Sequence, residues 1–274
     1  MSMEIRIDSS RDPRVGAYRN LRDRHLIARR GLFVAEGRLI VRRVIESGRF
    51  VVRSLLLGDA SRRALDDALS LLPAQVPVYV CAVEQLADLT GFNLHRGCLA
   101  LVDRLPVRTV HDVIRDAKTV IVLDSVSNAD NVGGVFRSAA AFGVDAVLLS
   151  PGCCDPLYRK AIRTSMGAAL LVPFSRVDPW PLGLLHLREH GFSLVALTVS
   201  DASVSLDAYV AGDRPERVAV IVGAECSGLG AEVEALADSR VRIPIRRHVD
   251  SLNLSVAAGI ALWGLLGLTP DSER

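Results

Sequence analysis

The sequence predicts an α/β protein with two domains, a small N-terminal one and a larger, mostly parallel one. Half of the 274 residues are hydrophobic and 23% are charged, which is typical of a globular chain that buries a sizeable core. Strand-like apolar runs alternate with helical patterns along the whole chain. A mostly polar stretch at 102–119, which contains Pro106, interrupts the alternation, so we place the domain boundary near residue 107.

The N-terminal half begins with a basic segment, for which Asp12 and Pro13 are suitable N-terminal residues of a helix over 12–30. Shorter elements then alternate at a spacing that predicts a small α/β sandwich of about 100 residues. The predicted order is strand 32–37, helix 38–48, strand 50–57, helix 61–72, strand 76–81 and strand 98–102.

The C-terminal half repeats the alternation more strongly. Its strands are continuous apolar runs, which indicates burial on both faces of a parallel sheet covered by helices. Predicted strands are 119–124, 145–150, 169–174, 192–198, 218–223 and 240–245, with helices at 131–142, 157–165, 181–190 and 229–237. A last helix, 251–267, is apolar nearly all round, so we expect it to be buried. The resulting domains are 1–106 and 118–274, joined by a linker at 107–117.

Positive charge is concentrated near the N-terminus, although the net charge of the chain is only +2. Residues 11–53 contain twelve arginines against four acidic residues, and the whole chain has only two lysines, Lys118 and Lys160. A GC-rich genome is an equally good explanation for the preference for arginine, but it does not explain the clustering. A basic block beside a nearly neutral remainder predicts a nucleic-acid partner.

Cysteine usage and hydropathy favour a cytoplasmic protein. The five cysteines form no C-x-x-C pair, so neither a disulfide framework nor a zinc ribbon is indicated. The longest apolar run, near residues 255–268, is too short to span a bilayer, and the N-terminus lacks the pattern of a signal peptide.

Three predicted strand ends of the C-terminal half carry unusual residues. In open α/β sheets ligands bind outside the carboxyl ends of the strands. Asn131, two glycines and Arg137 follow the first strand; a glycine-rich loop at 223–230 follows the fifth; polar residues at 251–255 follow the sixth. Each motif alone also fits a turn or a helix cap, but three at strand ends of one domain predict a ligand site.

Other common sites are not supported by the sequence. Neither G-x-G-x-x-G after the first strand nor G-x-x-x-x-G-K-[ST] occurs, which argues against a dinucleotide fold and a P-loop. His186 to His190 match H-x-x-E-H, a zinc-peptidase signature, but no third ligand follows. We interpret this segment as a solvated helix face and expect no metal.

At the three motifs the chain resembles the SpoU/TrmH family of the SPOUT superfamily, S-adenosyl-L-methionine-dependent RNA ribose 2′-O-methyltransferases. The family pattern Asn-x-Gly-x-x-x-Arg-x-Ala occurs at 131–139, Gly-x-Glu-x-x-Gly-Leu at 223–229, and Ile-Pro followed by Ser-Leu-Asn-x-Ser-x-Ala at 243–257. The resemblance covers residues 118–268. One departure is Ile245, where many members have methionine.

The resemblance implies a trefoil-knotted methyltransferase domain, a homodimer through the C-terminal domain, and a ribosomal-protein-like N-terminal domain that binds the RNA substrate. Periodicity would not have predicted a knot. The implied cofactor is S-adenosyl-L-methionine. Its implied contacts are Leu197, Thr198, Gly223, Ala224, Ile243, Ile245, Leu252 and Ser255.

The resemblance also implies the catalytic residues Arg137, Asn131, Glu225, Ser251 and Asn253. An arginine is a poor base at its normal pKa, above about 12. Arg137 therefore either has a strongly depressed pKa or polarises the 2′-hydroxyl while phosphate takes the proton, and the sequence leaves both open. The implied RNA contacts are Arg19, Arg22, Arg24, Arg29, Arg30, Arg42 and Arg163.

The function predicted from the sequence is methyl transfer to a ribose 2′-hydroxyl of structured rRNA or tRNA. The alternative from another class is a non-catalytic RNA-binding or ribosome-assembly protein with the same fold. An antibiotic-resistance methyltransferase would differ only in biological role. No motif encodes the identity of the RNA or of the modified nucleotide.

Overall fold

The computed structural model describes residues 3–19, 21, 26–90, 97–200, 202–213, 215–225, 227–246 and 248–267. These residues form two compact units. Unit 1 comprises residues 1–106 and 157–170, and unit 2 comprises residues 107–156 and 171–274. The predicted C-terminal domain is continuous over 118–274, whereas in the structure the segment 157–170 packs with unit 1.

Unit 1 is built on a five-stranded mixed sheet in the order β1-β4-β3-β5-β2. The strands β1, β4 and β3 are parallel, and β5 pairs antiparallel with both β3 and β2. The strands are β1 (Met3–Arg6), β2 (Leu32–Glu36), β3 (Val52–Gly58), β4 (Pro77–Cys81) and β5 (Cys98–Asp103). The helices are α1 (Arg38–Glu46), α2 (Asp59–Ala64), α3 (Asp66–Leu69) and α4 (Val83–Thr90).

Apolar residues of alternating elements form the core of unit 1. Val34, Leu56 and Leu99 from three neighbouring strands are fully buried together with Tyr18, whose hydroxyl bonds the Ser54 hydroxyl at 2.7 Å. Removing these side chains from water supplies most of the stabilisation of so small a sheet.

The inserted segment is held to unit 1 through a buried carboxylate. Its helix α5 (Arg159–Thr164) packs on β2. Glu36, at the end of β2, is 8% exposed and lies 3.4 Å from the guanidinium groups of both Arg159 and Arg163. Arg43 on α1 donates to the carbonyl of Met166 at 2.6 Å. A buried charge needs such partners, so these contacts explain why the segment joins unit 1.

Unit 2 contains a seven-stranded sheet in the order β10-β12-β9-β11-β6-β7-β8, with every pairing parallel. The strands are β6 (Thr119–Asp124), β7 (Ala146–Leu149), β8 (Phe174–Arg176), β9 (Phe192–Leu197), β10 (Val204–Ser205), β11 (Arg217–Gly223) and β12 (Ser239–Arg242). The helices are α6 (Val110–Ile114), α7 (Ala129–Ala141), α8 (Leu185–Glu189), α9 (Leu206–Ala211), α10 (Ala231–Leu236) and α11 (Leu254–Leu266).

The register of the paired strands brings the carboxyl ends of β6, β11 and β12, which precede the three predicted motifs, to one edge of this sheet. Gly223 at the end of β11 lies beside Asp124 at the end of β6, and Val222 lies beside Leu197 at the end of β9. Parallel pairing puts the carboxyl ends of these strands at the same edge, where the following loops meet.

Two expectations about the bounds of elements were wrong. The described residues of the predicted helix 12–30 instead contain a 3-10 helix, Pro13–Tyr18, and a π-helical turn, Leu26–Arg30. Arg19 after the first of these is extended, so the helix cannot continue. The predicted strand 169–174 begins as a 3-10 turn, Ala168–Leu170, and the strand starts only at Phe174.

The last helix, α11, is not buried all round as predicted. Val256, Ile260 and Trp263 are exposed by 49%, 37% and 64%, whereas Ala258 and Leu262 on the opposite face are fully buried. The apolar pattern therefore marks two faces, of which only one packs within unit 2. Among the described residues, no helix is both long and apolar enough to cross a membrane.

Candidate functional site

A cavity of about 730 Å³ opens at the carboxyl ends of β9, β11 and β12. Its apolar wall is formed by Leu197, Ile243, Ile245 and Leu252, and its polar wall includes Thr198. Cavities of roughly 300–1,000 Å³ with an apolar wall and a few placed polar groups are typical of small-ligand sites.

The loop after β11 forms one side of the cavity and depends on two glycines. A Cβ on Gly223 would lie 2.2 Å from the Gly228 carbonyl oxygen, so no side chain fits there. Gly228 has a φ of +65°, a conformation that favours glycine, and its N–H bonds the Ala224 carbonyl at 3.0 Å. Glu225 lies at the tip of this turn and lines the cavity.

The Asn253 side chain connects all three sequence motifs. Its amide nitrogen donates to Asn131 Oδ1 at 3.0 Å and to Glu225 Oε1 at 2.7 Å. Its amide oxygen accepts from the backbone N–H groups of Ser255 and Val256 and so caps α11. One residue thus both begins the helix and fixes the relative positions of two other polar groups.

Asn131 is 4% exposed, in the first turn of α7. Asn128 caps this helix by accepting from the N–H of Asp130 at 2.9 Å. Asp124, the last residue of β6, is also buried. Its carboxylate accepts from the Ser125 hydroxyl at 3.0 Å and lies 3.4 Å from the Gly230 N–H. The contact between Asp124 and Gly230 ties the end of the glycine loop to β6.

Arg137 lies six residues after Asn131 on α7 and is exposed. Within the part of the chain that the structure describes, its guanidinium makes no hydrogen bond or ion pair. An unpaired arginine beside a polar cluster can bind an anion or a polarised oxygen from outside the protomer.

Most of the predicted cofactor contacts lie on the cavity wall. The lining includes Leu197, Thr198, Gly223, Ala224, Ile243, Ile245 and Leu252, and of the predicted catalytic residues Glu225, Ser251 and Asn253. Ser255 lies elsewhere: its hydroxyl donates to Asn253 Oδ1 at 2.7 Å, which supports the cap. Its side chain faces a separate groove between α7 and α11.

Other residues on the cavity wall were missed by the sequence reasoning. Glu234 and Asp250 are carboxylates, and the lining also includes Val199, Val222, Ser227, Leu254 and Ala257. Glu234 lies on α10, where its neighbours in sequence look like an ordinary amphipathic helix. A signal was available for Asp250, which directly precedes Ser251 within the third motif.

The predicted RNA-binding arginines of unit 1 differ in how free their guanidinium groups are. Arg29 and Arg30 are exposed at the end of the π-helical turn, while Arg22 and Arg24 lie outside the described residues. Arg19 donates to the backbone carbonyls of Ser10 and Asp12. Arg163, on α5, bonds Glu36 but keeps 56% of its side chain exposed.

Arg42 is already fully engaged. Its two terminal nitrogens bond both oxygens of Asp67 at 2.6 and 2.8 Å, and one also bonds Glu46 at 3.0 Å. The pairing raises the pKa of Arg42 and lowers the pKa of Asp67 to about 2. A phosphate would have to compete with these two exposed carboxylates for Arg42.

The histidine pair of the H-x-x-E-H segment lies on the surface, as expected for a solvated helix face. His186 Nδ1 bonds Glu189 Oε2 at 2.9 Å, and the His190 ring packs edge-on against His111 at 5.5 Å. No group of three or more metal-ligand side chains occurs within the described ranges.

Comparisons with known sequences agree with the three motifs. The SpoU rRNA Methylase family model matches residues 118–263. An uncharacterized tRNA/rRNA methyltransferase of Mycobacterium tuberculosis is 42% identical, over 92% of this chain and 88% of that protein. The 23S rRNA (guanosine-2′-O-)-methyltransferase RlmB of Acinetobacter baylyi is 32% identical, over 70% of this chain and 78% of that protein.

Solved structures show the same fold over nearly the whole chain. A crystal structure of the AdoMet-bound rRNA methyltransferase from Sinorhizobium meliloti superposes with a TM-score of 0.82, at 22% identity, over 96% of this chain and 97% of that one. A crystal structure of an RNA 2′-O ribose methyltransferase gives a TM-score of 0.76 at 26% identity, over 96% and 98% of the two chains. The chain therefore belongs to the SpoU rRNA methylase family of RNA methyltransferases, and its cofactor is S-adenosyl-L-methionine.

Proposed function

We propose that this protein methylates the 2′-hydroxyl of a ribose in structured rRNA or tRNA. The observation that carries the proposal is the Asn131–Asn253–Glu225 cluster, which joins all three motifs at the wall of a ligand-sized cavity. The relatives named 2′-O-methyltransferases support the choice of ribose over base.

The cavity is the proposed site of S-adenosyl-L-methionine, and the residues present fit that molecule. The apolar wall of Leu197, Ile243, Ile245 and Leu252 suits a flat base, and the glycine loop leaves backbone groups open to a ligand. When bound, the cofactor supplies an electrophilic methyl group on a sulfonium.

The chain's own residues would position and polarise the accepting ribose. A guanidinium has five N–H donors and no acceptor, so Arg137 is proposed to bind the ribose oxygen and an adjacent phosphate: it stabilises the negative charge that develops on the ribose oxygen, while the phosphate takes the proton of the 2′-hydroxyl. Asn253 fixes Asn131 and the Glu225 carboxylate, and Ser251 lies beside them on the cavity wall. Rigid placement of such groups is the main contribution that a protein makes to this kind of transfer.

A homodimer is proposed through the groove between α7 and α11. The groove is lined by Gly134, Ser138, Phe142, Ser255, Val256, Gly259, Ile260 and Trp263. A cluster of exposed apolar side chains on one helix face is typical of an interface. A second copy would cover this face and would bring a second protomer near the exposed Arg137.

Two further features follow from family membership and are proposed for this chain. Unit 2 would be trefoil-knotted around the segments that carry the second and third motifs. Unit 1 would be the ribosomal-protein-like domain that binds RNA, with Arg29 and Arg30 among its phosphate contacts. We place this activity in the cytoplasm, where ribosomal and transfer RNAs are found in bacteria.

The test is methyl transfer from labelled S-adenosyl-L-methionine to total RNA by the purified protein. Digestion to nucleosides followed by mass spectrometry should show a 2′-O-methylnucleoside. A base-methylated nucleoside would contradict the ribose assignment. No transfer to any RNA, by a protein that still binds the cofactor, would favour a non-catalytic RNA-binding role instead.

A further inference from the structure

The Glu234 carboxylate lies on the cavity wall although it belongs to none of the three motifs. Its side chain is 26% exposed. The Thr198 hydroxyl donates to Glu234 Oε1 at 2.8 Å, and Arg240 Nε lies 3.8 Å from Glu234 Oε2. The carboxylate is therefore held in one orientation at the ends of β9 and β12.

The support of this carboxylate is itself rigid. The Thr198 N–H bonds the Val241 carbonyl at 2.9 Å, which continues the β9–β12 pairing by one residue. Arg240 also donates to the backbone carbonyl of Glu234 at 3.1 Å. Glu234 is thus held by two residues of the sheet, Thr198 and Arg240. Such support from neighbouring residues is expected of a ligand-binding side chain.

The negative charge of the cavity wall favours a ligand that carries hydrogen-bond donors. Three of the described side chains that line it are charged, and all three are carboxylates: Glu225, Glu234 and Asp250. Glu225 accepts from Asn253 as part of the catalytic cluster, and Asp250 is exposed. A carboxylate offers about four acceptor positions, and Thr198 occupies one at Glu234.

We propose that Glu234, oriented by Thr198, accepts hydrogen bonds from a donor group of S-adenosyl-L-methionine and so determines cofactor affinity. The donor is either the ribose diol or the α-ammonium group, both of which bind carboxylates. This inference rests on the proposed assignment of the cavity as the cofactor site.

The test is isothermal titration calorimetry of the full chain with S-adenosylhomocysteine and with 5′-methylthioadenosine. The first probe carries both donor groups, and the second lacks the amino-acid part. Glu234→Gln keeps the shape of the side chain but removes the charge, and we expect it to raise the Kd for S-adenosylhomocysteine roughly tenfold or more. The control is Glu232→Gln on the same helix, which is exposed and outside the cavity lining and should leave the Kd unchanged.

The second probe identifies the donor. If the ribose diol is the partner, Glu234→Gln raises the Kd for 5′-methylthioadenosine by the same factor as for S-adenosylhomocysteine. If the ammonium group is the partner, the Kd for 5′-methylthioadenosine is the same for wild type and variant. Thr198→Val should give a smaller loss in the same direction, because it removes only the orienting bond. Thermal unfolding of each variant confirms that the protein is folded.

Two outcomes separate this inference from the assignment of the cavity. Ile245→Arg places bulk and charge on the half-exposed apolar wall and should abolish binding of both probes. If Ile245→Arg abolishes binding while Glu234→Gln binds both probes like wild type, the role of Glu234 is overturned and the cavity assignment stands. If a folded Ile245→Arg variant binds both probes normally, the cavity assignment itself is wrong.

Discussion

At the scale of single residues, the site depends on one amide group. Asn253 uses its oxygen to begin α11 and its nitrogen to hold Asn131 and Glu225. A capping residue is a local feature of the sequence, but the two partners of the nitrogen come from distant parts of the chain. The structural and the catalytic role of Asn253 can therefore be separated by substitution.

We expect Asn253→Asp to impair methyl transfer more than stability. A carboxylate still caps α11, but it would face the Asn131 oxygen and the Glu225 carboxylate instead of donating to them. Asn253→Ala should in addition lose about 0.5–2 kcal/mol of unfolding free energy with the cap. Steady-state methyl transfer and urea denaturation of both variants check this, and equal activity of Asn253→Asp and wild type would contradict the role of the cluster.

Arg137 is expected to affect transfer and not cofactor binding. Removing one donor to a developing negative charge lowers turnover by roughly 100-fold or more, so Arg137→Ala should show that loss in single-turnover methyl transfer. Its Kd for S-adenosylhomocysteine should match wild type, because the exposed Arg137 is not part of the cavity lining. Arg115→Ala, on the surface of unit 2 and paired with Asp112, is the control.

At the scale of elements, α7 and α11 approach closely because small residues face each other. A Cβ on Gly134 would lie 2.6 Å from the Ser255 Cβ. This close approach matters for the site, since α7 carries Asn131 and Asn253 caps α11. The spacing of the two helices therefore sets the spacing of the two amides.

Gly134→Ala should destabilise the protein although alanine favours a helix. Overpacking costs about 1–3 kcal/mol, which exceeds the roughly 1 kcal/mol gained by replacing glycine in a helix. The double substitution Gly134→Ala with Ser255→Gly removes the opposing Cβ and should recover part of the loss. Urea denaturation of the two single variants and the double variant measures the coupling, and additive effects would show that the contact is unimportant.

At the scale of the whole molecule, two surfaces extend beyond the cavity: the apolar face of α11 and the arginine-rich surface of unit 1. Both are exposed in the single chain, and each is proposed to be covered by a partner. The first would meet a second copy, and the second would meet RNA.

Trp263→Glu should convert the proposed dimer to a monomer. Trp263 is the most exposed large apolar residue of the α11 face, and a buried, unpaired carboxylate there would oppose association. Leu182→Glu is the matched control, because Leu182 is 60% exposed but lies outside the groove. Light scattering after size-exclusion chromatography gives the mass of each variant, and a monomeric wild type would overturn the dimer.

The exposed arginines Arg29 and Arg30 should carry the salt dependence of RNA binding. Each phosphate contact contributes close to one unit to the slope of log K against log salt, somewhat less on single strands. Replacing both Arg29 and Arg30 by alanine should lower the slope by about two, whereas Arg42→Ala should leave it unchanged because Asp67 already pairs with Arg42. Filter binding at several salt concentrations tests this, and a larger effect of Arg42 would contradict the assignment.

The sequence by itself determined the fold class, most strand positions and the residues of the three motifs. A run of apolar residues indicates a buried strand from local sequence alone. The bounds of β6, β7, β9 and β11 could therefore be predicted to within one or two residues. The prediction from sequence failed at 12–30, where the extended backbone of Arg19 ends the first helical turn. It also failed at 169–174, where the strand starts only at Phe174.

Only the tertiary structure decided which of these residues meet. Asn131 and Asn253 are 122 positions apart and touch because parallel strands bring their following loops to one edge. Likewise, Glu234 on α10 is oriented at the cavity wall by the hydroxyl of Thr198, 36 positions away, at the end of β9. Arg42 is paired with the carboxylate of Asp67, 25 positions away. Such contacts depend on strand order and helix spacing, and no local pattern of residues encodes them.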